Sequence, residues 1–207
     1  MRNALLVVTI GLIAATLLPA GPAAASTLVV AHDSAPAMMN PHGDDSDANL
    51  QYMANFFDGL LQRKGADGTL APALAERYER VDGHTWKFYL RKGVKFHNGN
   101  PFTAADVKFT FERITNPDVS VFINAGKSIE SIQVVDDHTV VFKTKDLIPW
   151  FANNMHQIFI MDKESTESRD PGDVMVKPIG TGAYKLVEWV KGSYIKMAAN
   201  EGYWEGA

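Results

Sequence analysis

Residues 86–113 constrain the fold most, because they combine a strand pattern, a turn-rich loop and a helix start within one short stretch. Trp86, Phe88 and Leu90 recur at every second position, the period shown by a strand with one buried face. A glycine and two turn dipeptides, at residues 98–99 and 100–101, then interrupt the alternation. The pattern predicts a half-buried strand that leads into a loop.

The second half of this stretch carries the signals of a helix start. Thr103 is a favourable N-cap residue, and Asp106 stands three positions later, where a capping-box side chain accepts from the N-cap backbone. Val107, Phe111 and Ile114 follow at spacings of four and three, which puts them on one helical face. The stretch therefore predicts a strand–loop–helix unit of an α/β domain, and such a unit alone does not fix a function.

Local patterns elsewhere predict further elements. They are a buried strand over residues 27–31, a helix capped by Ser46 or Asp47, a short helix over 70–76, a hairpin of strands 129–135 and 139–144, a helix after Pro149, a buried strand over 157–161, an exposed linker over 164–173, and strands over 184–190 and 194–198. Gly180 and Gly182 flank Thr181, which indicates tight backbone or close approach by another part of the chain.

The N-terminus has the pattern of a secretory signal. Arg2 precedes an apolar run over residues 4–18, and three alanines at 23–25 offer a cleavage site before Ser26. The alternative is an uncleaved anchor, but the run is short for a membrane span of about 20 residues. The chain has no cysteine, which excludes a lipid-modified cysteine and disulfide bonds.

Composition and motifs argue against several functional classes. The formal net charge is −4, which disfavours a general nucleic-acid binder. Six histidines are present, but none forms an H-x-x-x-H or H-E-x-x-H pair, and there is no G-x-S-x-G nucleophile motif. The Gly-Thr-Gly piece lacks the lysine of a phosphate loop. We therefore predict no catalytic residue, no metal site and no cofactor.

The order of the motifs resembles the family 5 extracellular solute-binding proteins, the peptide- and nickel-type binding proteins of ABC importers. The motifs are those at residues 70–76, 82–83, 86–99 and 102–107, with Asn40-Pro41-His42 upstream and residues 178–184 and 200–204 downstream. The resemblance covers essentially all of the chain after the signal. It implies a two-lobed α/β fold, periplasmic-binding-protein-like type II, that closes over its ligand.

The resemblance also implies a domain division. Residues 1–25 would be the signal peptide, 26–48 the first segment of the first lobe, 49–173 a domain inserted into that lobe, and 174–207 the second segment of the lobe. Family members are more than twice as long, so we expect this chain to be an N-terminal fragment that lacks the second lobe. The inserted domain would then contain the stretch 86–113.

By the same resemblance, the protein is a periplasmic, monomeric component that delivers a ligand to an inner-membrane ABC permease. A short peptide is the expected ligand, although relatives also bind nickel chelates, haem, sugars and opines. The ligand-binding residues that the resemblance implies are Asp33, Ser34, Ala35 and Pro36, with Phe122, Gly180 and Thr181. Two other functions stay open: a secreted protein-interaction or chaperone-like domain, and an exported hydrolase that depends on a histidine such as His97.

Overall fold

A computed structural model describes residues 28–30 and 34–206 of the chain. The chain separates into two compact units, Met1–His32 and Asp33–Ala207. The predicted signal peptide lies outside the described residues. In the first unit, Leu28, Val29 and Val30 are exposed and form no strand, so the predicted buried strand over 27–31 is wrong for these three residues. The described part of this unit offers no neighbouring strand to take their main-chain hydrogen bonds.

The second unit is mixed α and β. Its strands are β1 Leu61–Lys64, β2 Thr69–Pro72, β3 Ala75–Arg80, β4 Thr85–Leu90, β5 Ile129–Asp136, β6 Thr139–Thr144, β7 Tyr184–Val190 and β8 Tyr194–Ala199. Its helices are α1 Asp47–Met53, α2 Ala104–Arg113, α3 Ile123–Lys127, α4 Phe151–Asn154, α5 Lys163–Ser168 and α6 Pro171–Val176. Among the described residues, no helix is both long and apolar enough to cross a membrane.

A four-stranded antiparallel sheet, in the order β3-β4-β6-β5, packs against α2. The inward side chains of β4 are buried, which confirms the strand predicted from the alternating pattern. At the centre, Phe142 of β6 lies edge-on to Phe88 of β4 and to Phe111 of α2, with ring centroids 5.6 Å and 4.9 Å apart. The predicted hairpin is also confirmed, since β5 pairs with β6.

The predicted start of α2 is confirmed by its hydrogen bonds. The Thr103 N–H donates to Asp106 Oδ2 at 2.8 Å, and the Thr103 hydroxyl donates to the same oxygen at 3.0 Å. Asp106 Oδ1 accepts from the Lys163 N–H at 2.9 Å, so one carboxylate joins the starts of α2 and α5. Burial raises the pKa of Asp106, and these hydrogen bonds oppose that rise.

The predicted short helix over residues 70–76 is wrong, because this stretch forms β2 and the start of β3. The Leu74 N–H donates to Gly59 O at 3.2 Å and the Ala75 N–H donates to Leu60 O at 2.9 Å. Leu74 and Ala75 are fully buried. Pairing with neighbouring strands therefore overrides the local helical signal, as tertiary contacts commonly do.

The predicted linker over residues 164–173 is also wrong, since α5 and α6 occupy it. Asp162 caps α5 by accepting from the Ser165 N–H, Asp170 caps α6 by accepting from the Gly172 N–H, and Pro171 occupies the first turn of α6. The capping residues of these two helices thus outweigh the charge that suggested an exposed linker.

The predicted strand over 157–161 is buried but forms a single bridge, between Gly59 and Phe159.

The strands β7 and β8 form a separate two-stranded hairpin, which confirms the two strands predicted there. Their partly buried side chains Leu186, Trp189, Ile195 and Met197 pack against a second apolar cluster. The buried members of that cluster are Met39, Met53, Phe56, Phe57, Phe159, Met161 and Val174. Through Met39, this cluster includes a residue that follows the predicted ligand-binding residues 34–36 by three positions.

Candidate functional site

The segment of residues 34–36 is anchored by a tyrosine of α1. Tyr52 Oη donates to Ser34 O at 2.7 Å. Ser34 and Ala35 are exposed, whereas Pro36 is buried. A residue before proline is biased away from helical backbone, and such a bias at Ala35 favours the extended conformation that can pair with a strand-like ligand. Asp33, the other residue of the predicted segment, lies outside the described residues.

The next residues are fixed by hydrogen bonds to distant parts of the chain. The Met39 N–H donates to Met175 O at 2.7 Å, which joins the segment to α6. The Asn40 side-chain amide donates to Val119 O at 2.9 Å, across 79 residues of sequence. Met39 and Asn40 are both fully buried. The residues after Pro36 are therefore fixed by hydrogen bonds to α6 and to Val119, and they do not form a loose connecting loop.

The candidate segment, taken with the residues that anchor it, runs from residue 34 to residue 42. His42 is its last residue and is fully buried. Its Nε2 lies 2.9 Å from Phe159 O, and its Nδ1 lies 3.3 Å from a guanidinium nitrogen of Arg113. Phe122 faces the ring edge-on, with centroids 6.2 Å apart. Burial, and then the nearby Arg113 charge, lower the pKa of His42 to about 3. The ring is therefore neutral at physiological pH.

Phe122 has a packing position. It precedes α3 and packs against the main apolar core as well as against His42. The Val121 N–H donates to His42 O at 2.9 Å, which brings this region to the buried turn at residues 40–42. The structure thus joins Phe122 to the end of the candidate segment, through His42, rather than to Ser34 or Ala35.

Thr181 is buried and bonded to a carboxylate. Its hydroxyl donates to Asp58 Oδ2 at 2.7 Å, and Trp204 Nε1 donates to the same oxygen at 2.9 Å. Tyr203 Oη donates to Asp58 Oδ1 at 3.3 Å. Burial raises the pKa of Asp58, and these three donors oppose the rise. Asp58 therefore ties the Gly-Thr-Gly piece to the chain near residue 204.

The two glycines around Thr181 allow the close backbone approach that the sequence indicates. The Gly182 N–H donates to Phe56 O at 2.9 Å. A Cβ on Gly182 would lie 2.5 Å from the carbonyl carbon of Phe56, and a Cβ on Gly180 would also meet the Phe56 oxygen. No larger residue fits at either position without moving the backbone. This prediction is confirmed.

His97 also contacts the Gly-Thr-Gly piece. The backbone N–H of His97 donates to Gly180 O at 2.8 Å, and the ring Nε2 of His97 lies 3.0 Å from Gly182 O. Burial lowers the pKa of His97. These contacts give His97 a structural role in holding the piece. In the described part of the chain, no group of three or more His, Cys, Asp or Glu side chains is placed to hold a metal ion.

The predicted ligand-binding residues thus fall into two groups, which the residues from 52 to 58 connect. Ser34 is bonded to Tyr52 at one end, and Thr181 is bonded to Asp58 at the other. The sequence interpretation missed both anchors. Asp58 carried a usable signal, since a carboxylate inside the apolar run of residues 56–61 requires hydrogen-bond donors when it is buried. Tyr52 carried none beyond its position on the helix.

An open cavity of about 560 Å³ lies elsewhere, beside the starts of α2 and α5. Its lining includes Asp106 and Asp162, with Thr103 and Asn100. Asp162 Oδ2 already accepts from the Asn98 and Asn100 amides, at 2.7 Å and 2.9 Å, and both oxygens of Asp106 accept from backbone N–H groups. These two carboxylates are therefore already engaged in hydrogen bonds within the fold.

A family model described as bacterial extracellular solute-binding proteins, family 5 Middle, matches residues 69–207. The chain therefore belongs to the family 5 extracellular solute-binding proteins. The resemblance inferred from the order of the motifs is confirmed.

Two relatives and one solved structure illustrate the similarity. The chain is 32% identical over 185 residues to the glutathione-binding protein GsiB of Pectobacterium atrosepticum. This alignment covers 88% of this chain and 36% of that protein. It is 32% identical over 224 residues to di/tripeptide-binding protein 1 of Pseudomonas aeruginosa, covering 94% of this chain and 41% of that protein. The crystal structure of NikZ from Campylobacter jejuni in complex with Ni(L-His) matches with a TM-score of 0.74 and 30% identity, covering 83% of this chain and 35% of that chain.

These similarities confirm the fold class as periplasmic-binding-protein-like type II, for the part that the chain spans. The chain spans between 36% and 41% of the length of the two relatives. The domain division and the ligand-binding residues implied by the resemblance stay predictions.

Proposed function

We propose that this protein captures short peptides in the periplasm as the substrate-binding component of an ABC importer. The observation that carries the proposal is the similarity to proteins named for glutathione and for di- and tripeptides, along 88% and 94% of the chain. Glutathione is itself a tripeptide, so both names specify one chemical class. Family membership supports capture and delivery of a solute rather than chemical turnover.

The geometry of residues 34–36 supports a peptide ligand. Ala35 is exposed, the following Pro36 disfavours helical backbone at Ala35, and Tyr52 holds the neighbouring Ser34 carbonyl. An extended peptide can form main-chain hydrogen bonds to such a segment, and these bonds discriminate little between ligand side chains. We include Asp33 in this binding segment. We assign Gly180 and Thr181 to shaping the crossing with residues 55–57, and Phe122 to packing beside His42.

The remaining parts of the proposal follow from the family. The protein would be exported with cleavage of residues 1–25, act as a monomer, and deliver its peptide to permease subunits in the inner membrane. Ligand binding would favour a closed form, which the permease would recognise. Residues 49–173 would form the inserted domain, between the two segments of the first lobe. No catalytic residue or cofactor is required for this activity.

The experiment is identification of the ligand that co-purifies with the protein. The protein would be expressed from its natural gene, including any sequence that follows Ala207, purified from the periplasm under native conditions and analysed by mass spectrometry. We expect peptides of two to a few residues. As a control, the same protein would be unfolded, refolded without ligand and titrated with trialanine, glutathione and Ni(L-His). Binding of the nickel complex without either peptide, or of a sugar, opine or haem instead, would overturn the proposal.

A further inference from the structure

The ring of His42 is held in one protonation state by its contacts. Arg113 can only donate, so His42 Nδ1 must accept the hydrogen bond that joins them at 3.3 Å. The proton of the neutral ring therefore lies on Nε2, which donates to Phe159 O at 2.9 Å. The ring is fully buried, so no water can replace either partner. This neutral tautomer satisfies both nitrogens at once.

A second proton on His42 would have no acceptor. Nδ1–H would point at the Arg113 guanidinium, and two positive charges would then meet 3.3 Å apart beside a fully buried ring. The ring also contacts the Phe159 carbonyl and the Phe122 ring, and neither of these groups titrates. Among the described residues, Arg113 is the charged group whose field acts on the ring.

The same residue joins several elements of the fold. His42 connects the turn at residues 40–42 to α2 through Arg113, to the buried stretch after α4 through Phe159, and to the start of α3 through the Val121 N–H. Met39 and Asn40, which precede Pro41 and His42, bond to α6 and to Val119. Loss of the His42 contacts would therefore loosen the turn and the segment that precedes it.

We propose that His42 makes this turn acid-sensitive, because protonation of the ring expels it from its site between Arg113 and Phe159 and opens residues 39–42. The opened turn would release the Val121 N–H and loosen residues 34–36 without unfolding the sheet. The inference rests on the contacts of His42 and does not depend on the identity of any ligand.

The direction of the pH effect follows from linkage. In the opened turn His42 is exposed and has its ordinary pKa of 6.5, whereas in the closed turn burial and Arg113 lower its pKa to about 3. The opened form binds the extra proton, so the closed turn has its full stability above pH 6.5 and loses stability as the pH falls toward 3. Between pH 7.5 and pH 5.0 the opening constant should rise about 30-fold.

Hydrogen exchange at single amides tests this inference. The amides to follow are Met39, which donates to Met175 O, and Val121, which donates to His42 O. Their protection, corrected for the pH dependence of intrinsic exchange, should fall about 30-fold between pH 7.5 and pH 5.0. The amide of Phe142, in the sheet, should keep its protection. Unchanged protection at Met39 and Val121 would overturn the inference.

Two variants separate His42 from other titrating groups. His42→Gln keeps a donor and an acceptor but cannot be protonated, so protection at Val121 should become independent of pH. His156→Gln is the matched control, since the His156 Nε2 also accepts from an arginine, Arg63, at 3.2 Å, but on an exposed surface. This variant should keep the 30-fold fall at Val121, by the same linkage. Equal pH dependence in wild type and His42→Gln would contradict the inference.

A second measurement keeps the inference testable if His42→Gln does not fold. NMR of ¹³C-labelled histidine in the wild-type protein should show a His42 ring that stays neutral in the closed form down to pH 5.0, because burial and Arg113 lower its pKa to about 3. Arg113→Gln removes the opposing charge, so the His42 ring should then be protonated at a higher pH than in the wild type. Ordinary titration of His42 in the closed wild-type protein, or no shift in Arg113→Gln, would refute it.

Discussion

The four-stranded sheet with α2 and the segment of residues 34–42 are both well anchored, but their contacts have different ranges. In the sheet, two of the three pairings, β3 with β4 and β5 with β6, join strands that are neighbours in sequence, and the third joins β4 to β6 across α2 and α3. In the segment, Asn40 reaches Val119 across 79 residues and His42 reaches Phe159 across 117 residues. Most pairings of the first region can therefore be predicted from local patterns, whereas the contacts of the second region join distant parts of the chain.

The same difference applies to the Gly-Thr-Gly piece. Thr181 and Asp58 are 123 residues apart, and Trp204 and Asp58 are 146 residues apart. Thr181, a predicted ligand-binding residue, thus lies where distant parts of the chain meet. Two substitutions measure how far the stability of each region depends on its own contacts.

The largest expected effect is in the sheet. Phe142→Ala removes a ring that packs on Phe88, Phe111 and Phe151, so the free energy of unfolding should fall by about 3–5 kcal/mol. Chemical denaturation would measure it. Val135→Ala is the control, because Val135 is 51% exposed on the edge strand β5, and it should change stability by about 0.5 kcal/mol or less. Similar losses in both variants would show that this core is not the main source of stability.

A smaller loss is expected at the crossing of distant segments. Gly182→Ala places a methyl group 2.5 Å from the Phe56 carbonyl carbon, and overpacking of this kind should cost about 1–3 kcal/mol. Gly202→Ala is the matched control, since its nearest neighbour would be the Asn200 side-chain oxygen at 3.7 Å. Thermal unfolding of the two variants compares them directly. If Gly182→Ala is as stable as Gly202→Ala, the close approach does not hold the two segments together.

The comparison also explains which parts of the fold could be predicted from sequence. The strand at Trp86 and the capping box of Thr103 and Asp106 depend on residues within a few positions of each other, and both are confirmed. The helix predicted over 70–76 is wrong. Backbone N–H groups of this stretch donate to the carbonyls of residues 59 and 60, and local helix propensity takes no account of such partners.

The candidate site was predicted less completely, for the same physical reason. The two glycines around Thr181 indicated a close approach, but not that Phe56 is the partner. The Asn-Pro-His motif supported the family resemblance, but it did not indicate that His42 is buried against Arg113. A buried polar side chain is identified by its partner, and the partner here lies tens of residues away. The family resemblance supplied the residues of the segment, and the structure supplied the contacts that hold it.

Hydrogen exchange with and without a tripeptide tests most directly the claim that the segment held by distant contacts is the binding region. The protein, expressed with any sequence that follows Ala207, would be freed of ligand and measured at neutral pH with and without saturating trialanine. We predict that protection rises at residues 34–42, while the amides of β4, β6 and α2 keep the protection they have without peptide. A rise confined to the sheet and α2, or no change at residues 34–42 when trialanine is bound, would contradict the account.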